Sequence, residues 1–389
     1  MILFVAACGA DDTTSGGDTE TPEESTSSES TSGGSAAETS SGADETTAAV
    51  TTTETTADST SSDTGTTDTG DESSSTGEED EICPPPPANM LHWITGNEED
   101  AKVTPTGPGL IMMGGGPDVD EAFEWWSAYI AGGDVVVLRT SGSDGYNDYL
   151  YEDFAPVDSV ETMRVTSKLQ ANHPYVACRV RQAEGIFIAG GNQAAYLDTW
   201  KDTELADAIM HAWGRGAIVG GTSAGLAVLG EFAFAAYDGT VYSDEALEDP
   251  YNQYMSLERD FLSFPFLQGV ITDSHFADRD RMGRLVGFIA RIVADGWGDP
   301  VVGIGVEEET ALVVGPDGVG EVIGLDRVYV VHSNGEPAVC EPGQPLEYTG
   351  LLLHQLDVGD TVTLPAGTTT VPGIALSAQG GLLDPANPY

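Results

Sequence analysis

The chain has 389 residues and a formal net charge of −50, from 64 acidic against 14 basic side chains. A field of that sign repels phosphate backbones and offers no basic patch to anionic lipid, which excludes nucleic-acid binding and electrostatic membrane docking. At roughly 150 residues per domain, the length accommodates two domains, or one large domain with a tail.

The first segment in chain order, Met1 to Gly9, is an apolar run that ends in two alanines and Cys8. It resembles the lipobox of a bacterial lipoprotein signal over residues 1–8, in which cleavage before Cys8 and acylation of its sulfur anchor the chain. The run is short and lacks a positive n-region, so the sequel carries the reading. From Asp11 to Glu81, 71 residues include 35 Ser or Thr and 20 Asp or Glu, and no Lys or Arg precedes Lys102. Large apolar side chains are nearly absent there, so residues 9–82 read as a disordered, self-repelling tether. The expectation is an exported lipoprotein of the bacterial cell envelope or surface, touching membrane only through its lipid anchor.

Residues 83–389 are rich in Gly, Val, Ile, Leu and aromatics, ample for a sizeable core. Cys83 opens this part before Pro84–Pro87, and Cys340 lies in a loop-like Cys-Glu-Pro-Gly. An oxidising compartment permits a disulfide. The expected pair is Cys83–Cys340, with Cys178 a buried thiol. No Cys-x-x-Cys or His-x-x-x-His spacing suggests a metal site.

Gly109–Gly116 is a short apolar run entering a glycine turn and reads as a buried strand. A helix follows over Val119–Ala131, with Phe123, Trp126 and Ile130 at helical spacing. Asp134–Thr140, Gly185–Gly191 and Ala217–Gly225 repeat the buried-strand pattern. Thr203–Trp213 and Leu226–Ala236 read as helices. Strands apolar on both faces, alternating with helices, specify a mainly parallel sheet covered on both sides. Ligand sites in such sheets lie beyond the carboxyl ends of the strands, where these glycine turns fall. From about residue 300 the pattern becomes β-rich. Val301–Val306, Thr310–Val314, Val319–Leu325 and Val328–His332 read as a hairpin or meander, continued by Thr361–Thr370 and Val371–Leu376.

Gly221-Thr-Ser223-Ala-Gly225 matches Gly-x-Ser-x-Gly in a strand–turn–helix context. A sharp turn there lifts Ser223 Oγ above the sheet beside helix N–H groups. The bland alternative is a helix-capping Ser. A nucleophilic Ser needs a base. Of six His, His275 stands where a strand appears to finish, and Arg279, Arg281, Arg284 and Arg291 follow within 13 residues. On so acidic a chain this patch reads as a carboxylate receptor, with Arg281 and Arg284 on one helical face and Arg279 as a structural partner of an acid. Asp273 is the nearest acceptor for a substrate cation, or else a brace for the His275 loop. Glu307-Glu308-Glu309 offers acids to orient the base, and the residues alone do not choose among the three.

Gly190-Gly-Asn-Gln193, Gly221–Gly225, Asp273-Ser-His-Phe276 with its arginines, and Gly303–Ala311 occur in the order seen in cyanophycinases. The sequence therefore resembles that serine-peptidase family, which also holds aspartyl dipeptidases, over roughly Gly109 to Val314. The resemblance implies Ser223 as nucleophile, His275 as base and Glu308 as the orienting acid. The N–H groups of Gly191 and Ala224 would form the oxyanion hole. Gln193, Asp273, Arg279, Arg281 and Arg284 would line the substrate pocket. Two departures bear on specificity: Asn192 replaces the usual Asp, and Ser274 replaces the usual Gln. The segment between Ser223 and His275 is also longer than in cyanophycinases, with Phe232–Leu257 rich in aromatics and acids.

The fold class is then α/β, three-layered in the manner of flavodoxin or class I glutamine amidotransferases, plus a β-rich C-terminal extension. The implied activity is cofactor-free hydrolysis of β-aspartyl isopeptide bonds, with a cyanophycin-like Asp–Arg polymer favoured as substrate. The rivals are an aspartyl dipeptidase and a non-catalytic surface binding protein that keeps the fold. Monomer or homodimer is left open.

Overall fold

The computed structural model describes residues 82–154 and 156–389, so Cys8 and the tether up to residue 81 lie outside the described residues. The strands are, in order, β1 (Leu91–Gly96), β2 (Gly109–Met113), β3 (Asp134–Arg139), β4 (Ser159–Arg164), β5 (Gly185–Ile188) and β6 (Ile218–Thr222). Then come β7 (Phe232–Phe234), β8 (Leu257–Arg259), β9 (Val270–Asp273), β10 (Val302–Val306), β11 (Thr310–Val314) and β12 (Val319–Gly324). The last are β13 (Val328–His332), β14 (Tyr348–Leu356), β15 (Thr361–Thr363), β16 (Ile374–Gln379) and β17 (Leu382–Asp384). The helices are α1 (Asp120–Ile130), α2 (Asn147–Asp153), α3 (Lys168–Ala171), α4 (Pro174–Gln182) and α5 (Gln193–Trp200). They continue with α6 (Glu204–Gly214), α7 (Ala224–Ala227), α8 (Ser243–Glu248) and α9 (Met282–Ala294).

One sheet runs β1-β4-β3-β5-β6-β2-β11-β12-β15. Its centre, β4 to β2, is parallel, and its edges are antiparallel. Alternating side chains of one strand feed opposite cores, as the pleat requires. Val136 and Leu138 pack with α4, α5 and α6, while Val135 and Val137 pack with Phe123 and Trp126 of α1. That two-sided burial explains the continuous apolar runs.

A second sheet, β17-β16-β14-β13-β10-β9-β7-β8, is covered by α9, whose Leu285, Phe288 and Ile289 belong to its core. The β-rich C-terminal part is present, but this sheet also recruits β7 to β9 from before residue 300. The link from β10 to β11 passes from the second sheet to the first, so Glu307–Glu309 join the two sheets rather than close a hairpin.

Three local expectations change. Instead of a helix over Leu226–Ala236 there is one turn, α7, and then strand β7. Gly230 explains the stop: a Cβ there would meet Phe232 O at 2.7 Å and Val270 O at 2.8 Å, so the chain presses against β9 and pairs with it. The run expected over Thr361–Thr370 is a strand only at β15. The disulfide joins Cys83 to Cys178, and Cys340 is free. Cys83 packs against the core of the first sheet and Cys340 against that of the second, which keeps the expected partners apart.

Candidate functional site

The carboxyl ends of β2, β5, β6, β9 and β10 converge on one place. Ser223 follows β6 directly and holds φ 54° and ψ −114°, a sterically costly conformation for a residue with a Cβ. Its N–H donates to Met113 O at 3.1 Å, which ties the turn to β2. The flanking glycine is needed for close approach, because a Cβ on Gly225 would lie 2.0 Å from Ile188 O.

Ser223 Oγ lies 2.7 Å from His275 Nε2, and His275 Nδ1 lies 2.5 Å from Glu308 Oε1. With Nδ1–H donated to the carboxylate, Nε2 is left to accept the serine proton, a relation set by geometry and not by sequence order. His275 also has a positive φ, 47°, and its N–H donates to Gly114 O at 2.8 Å. Burial pushes the imidazole below its ordinary value of 6.5; Arg279 and Arg281 add to this and the Glu308 hydrogen bond opposes it. The base is therefore neutral, and able to take a proton, at neutral pH.

The Gly114-Gly-Gly116 turn after β2, read from sequence only as a turn, is the cradle of this arrangement. A Cβ at Gly115 would stand 2.3 Å from the His275 ring, and one at Gly116 would press on Glu308 at 3.2 Å. Any larger residue at 115 would displace the imidazole. Its signal was the third consecutive glycine, one more than a turn needs.

The three acids separate cleanly. Glu308 reaches His275. Glu307 turns inward, accepts the Ala277 N–H at 2.7 Å, and has its carboxyl pushed up by burial. Glu309 takes a left-handed turn, φ 52°.

The arginines exchange their expected places. Arg284 is 3% exposed and clamps Asp273, itself 2% exposed, through two N–H groups while a third donates to Thr240 Oγ1. Neither is free for a substrate charge. Arg281 Nη1 donates to Ser274 O at 2.7 Å and lies 3.5 Å from Asp273. Arg279 is the exposed one, its side chain 53% accessible and Nη2 3.6 Å from Glu308 Oε1. The correction has a simple cause: α9 begins at Met282, so residues 279–281 form a turn and helical spacing does not apply to them.

Gly190 faces the nucleophile, where a Cβ would be 3.6 Å from Ser223 Cβ, and Gly191 follows in the same turn. Ala224 opens α7 directly after Ser223. Gln193 is half-buried at the start of α5 and donates to Phe234 O at 3.4 Å. Both departures are engaged internally. Asn192 caps α5 by accepting the Ala194 N–H at 3.0 Å, and Ser274 is buried with Oγ 3.4 Å from Arg281. The segment between Ser223 and His275 supplies Thr240 to Ser243, which with Arg279–Arg281 and Arg284 line a cleft of about 190 Å³. A larger cavity of about 730 Å³, lined by Pro84–Pro86, His92, Tyr175 and Arg179 among others, shares no residue with this cleft or the triad.

Residues 140–322 match the family model of Peptidase family S51. The cyanophycinase of Synechococcus elongatus is 30% identical over 224 residues, covering 56% of this chain and 64% of that protein. The cyanophycinase of Trichormus variabilis is 29% identical over 210 residues, covering 52% and 64%. The chain thus spans less than two thirds of the length of these curated relatives. The crystal structure of a peptidase from an acI-B1 Actinobacterium superposes with a TM-score of 0.44 at 17% identity, covering 67% of this chain and 98% of that one.

Proposed function

From the match of residues 140–322 to the model of Peptidase family S51, we propose that the chain is a cyanophycinase-like serine-type hydrolase of β-aspartyl bonds. The observation that carries the reading is the unbroken chain of contacts from Ser223 Oγ through His275 to Glu308, at 2.7 and 2.5 Å. His275 Nε2 takes the proton from Ser223 Oγ as the oxygen attacks the side-chain-linked amide carbonyl. The carbonyl oxygen becomes an oxyanion, held by the N–H groups of Ala224 and Gly191. The imidazolium, paired with Glu308, then protonates the leaving amine. Water, deprotonated by the same imidazole, releases the acyl group from Ser223.

A β-linked Asp–Arg unit carries a free α-carboxylate beside the scissile bond, and exposed Arg279 is the cation placed to meet it. The favoured substrate is a polymer of such units, as the names of the relatives suggest. Short aspartyl peptides are the second reading, favoured by the confined cleft under Thr240–Ser243. Anchoring through Cys8, with residues 9–82 as spacer, belongs to the same proposal.

Incubation with cyanophycin and with β-Asp–Arg dipeptide tests the reading. Hydrolysis of the side-chain amide is expected to release free arginine from the polymer and from the dipeptide, and the Ser223→Ala protein should release none. Cleavage of dipeptide alone would select the second reading, and activity undiminished by Ser223→Ala would refute both.

A further inference from the structure

The loop that carries the base, from β9 to α9, is short and conformationally costly, with left-handed residues at both ends, His275 and Asp280, each at φ 47°. Such a loop keeps its shape only if its surroundings over-determine it. Part of that constraint comes from far along the chain. The Met282 N–H, first in α9, donates to Tyr389 Oη at 2.8 Å, and Tyr389 Oη donates to Asp280 Oδ1 at 2.9 Å. The Tyr389 ring stands edge-on to Phe276 and Tyr329, with centroids 6.1 and 5.8 Å away, and those two rings are 5.2 Å apart.

This aromatic cluster involves the chain neighbours of both halves of the catalytic pair. Phe276 follows His275 directly, is fully buried, and fills the space above Gly305, where a Cβ would lie 2.5 Å from its ring. Tyr329 is hydrogen-bonded to Glu307, the residue before Glu308, and Glu307 in turn accepts the Ala277 N–H from the base loop. Tyr389 closes the cluster from the side opposite Gly305. It lies beyond residues 140–322, so this support is supplied by a part of the chain outside the family match.

Resting on the hydrolase reading above, we propose that Tyr389 is a positioning residue, holding the 275–281 loop so that His275 Nε2 stays within proton-transfer distance of Ser223 Oγ. It touches no reacting atom. Its phenol fixes the two ends of the Asp280–Met282 turn, and its ring prevents Phe276 from moving back into the space behind the base. An ångström of drift in a catalytic group costs on the order of 10²-fold in rate.

The test is the second-order rate of Ser223 phosphonylation by a fluorophosphonate, measured well below each variant's melting temperature. Tyr389→Ala should react about 10- to 100-fold more slowly than the wild type, and Tyr389→Phe, which keeps the ring but loses both hydroxyl bonds, about 5-fold more slowly. Leu383→Ala is the control, because Leu383 packs the same segment onto the second core and its side chain has no polar atom to bond the loop; it should lower the melting temperature yet react within about twofold of wild type. Wild-type rates in both Tyr389 variants would overturn the inference, as would an equal slowing in Leu383→Ala, which would mark general loosening. If Tyr389→Ala does not fold, Tyr389→Phe still decides: loss of the two hydroxyl bonds alone should slow labelling measurably, and an unchanged rate refutes the proposal. A wild type that never labels would instead remove the hydrolase reading, and this inference with it.

Discussion

The fold contains two His–Glu pairs, and they differ in almost everything but composition. Glu161 on β4 is fully buried and saturated: it lies 3.1 Å from His92 Nδ1 and accepts from Tyr175 Oη at 2.6 Å and Arg179 Nε at 2.7 Å. Burial would raise its carboxyl, but those three partners outweigh it and hold the group below its ordinary value, while the Glu161 bond raises His92. Glu308 is part exposed, keeps an open rim with Arg279, and its histidine is lowered instead. The first pair sits mid-strand among relaxed residues. The second joins His275, on a costly turn, to Glu308 and faces Ser223, on another such turn. A His–Glu pair is common structural material; what makes one chemically useful is an unsatisfied Nε2 aimed at a nucleophile.

Breaking each pair should therefore give opposite phenotypes. The largest effect is expected from Ser223→Ala, which should lower kcat/KM by about 10⁴-fold or more while leaving the melting temperature nearly unchanged. Next come the closed clusters. Glu161→Gln leaves Arg179 buried without its counter-charge, and Arg284→Ala leaves buried Asp273 only the longer 3.5 Å contact with Arg281; each should cost about 3–5 kcal/mol of stability in denaturant titrations. The Glu161→Gln protein that remains folded should keep its kcat. Because Glu161 is depressed in the folded state, its cluster stabilises the protein above the ordinary value of 4.5, and that stability is lost as pH falls towards the depressed value. Glu161→Gln should flatten the acid side of the stability profile.

The smallest effect sharpens the comparison most. Arg279 lowers the His275 pKa, so its removal in Arg279→Gln should raise it. The acid limb of kcat/KM should move to higher pH, with a weaker hold on substrates bearing an α-carboxylate. A limb that stays in place would mean that Arg279 does not sense the base. In the wild type that limb should lie below 6.5, the ordinary histidine value.

What the sequence made legible follows the range of the interactions involved. The parallel strands are visible because burial on both faces leaves uninterrupted apolar runs, and the turn around Ser223 is visible because its constraints lie within five residues. Glu308 could not be picked from its two neighbours by residue type, since which acid faces His275 depends on the β10–β11 link crossing between sheets; only the family resemblance named it. The arginines lie where helical spacing does not put them because α9 starts only at Met282, after the turn at Asp280. The Cys83–Cys178 bond, between residues 95 apart, depends on how Pro84–Pro87 lies along α4. The Tyr389 contact, more than 100 residues from the loop it braces, left no local trace.

The most direct test of the central claim, that Ser223 is the nucleophile driven by His275, is to locate the adduct after fluorophosphonate treatment by peptide mass spectrometry. A single phosphonylated residue, Ser223, is expected in the wild type, with labelling lost in His275→Ala and retained in His92→Ala. A modified serine elsewhere, or labelling of Ser223 undiminished in His275→Ala, would contradict the account.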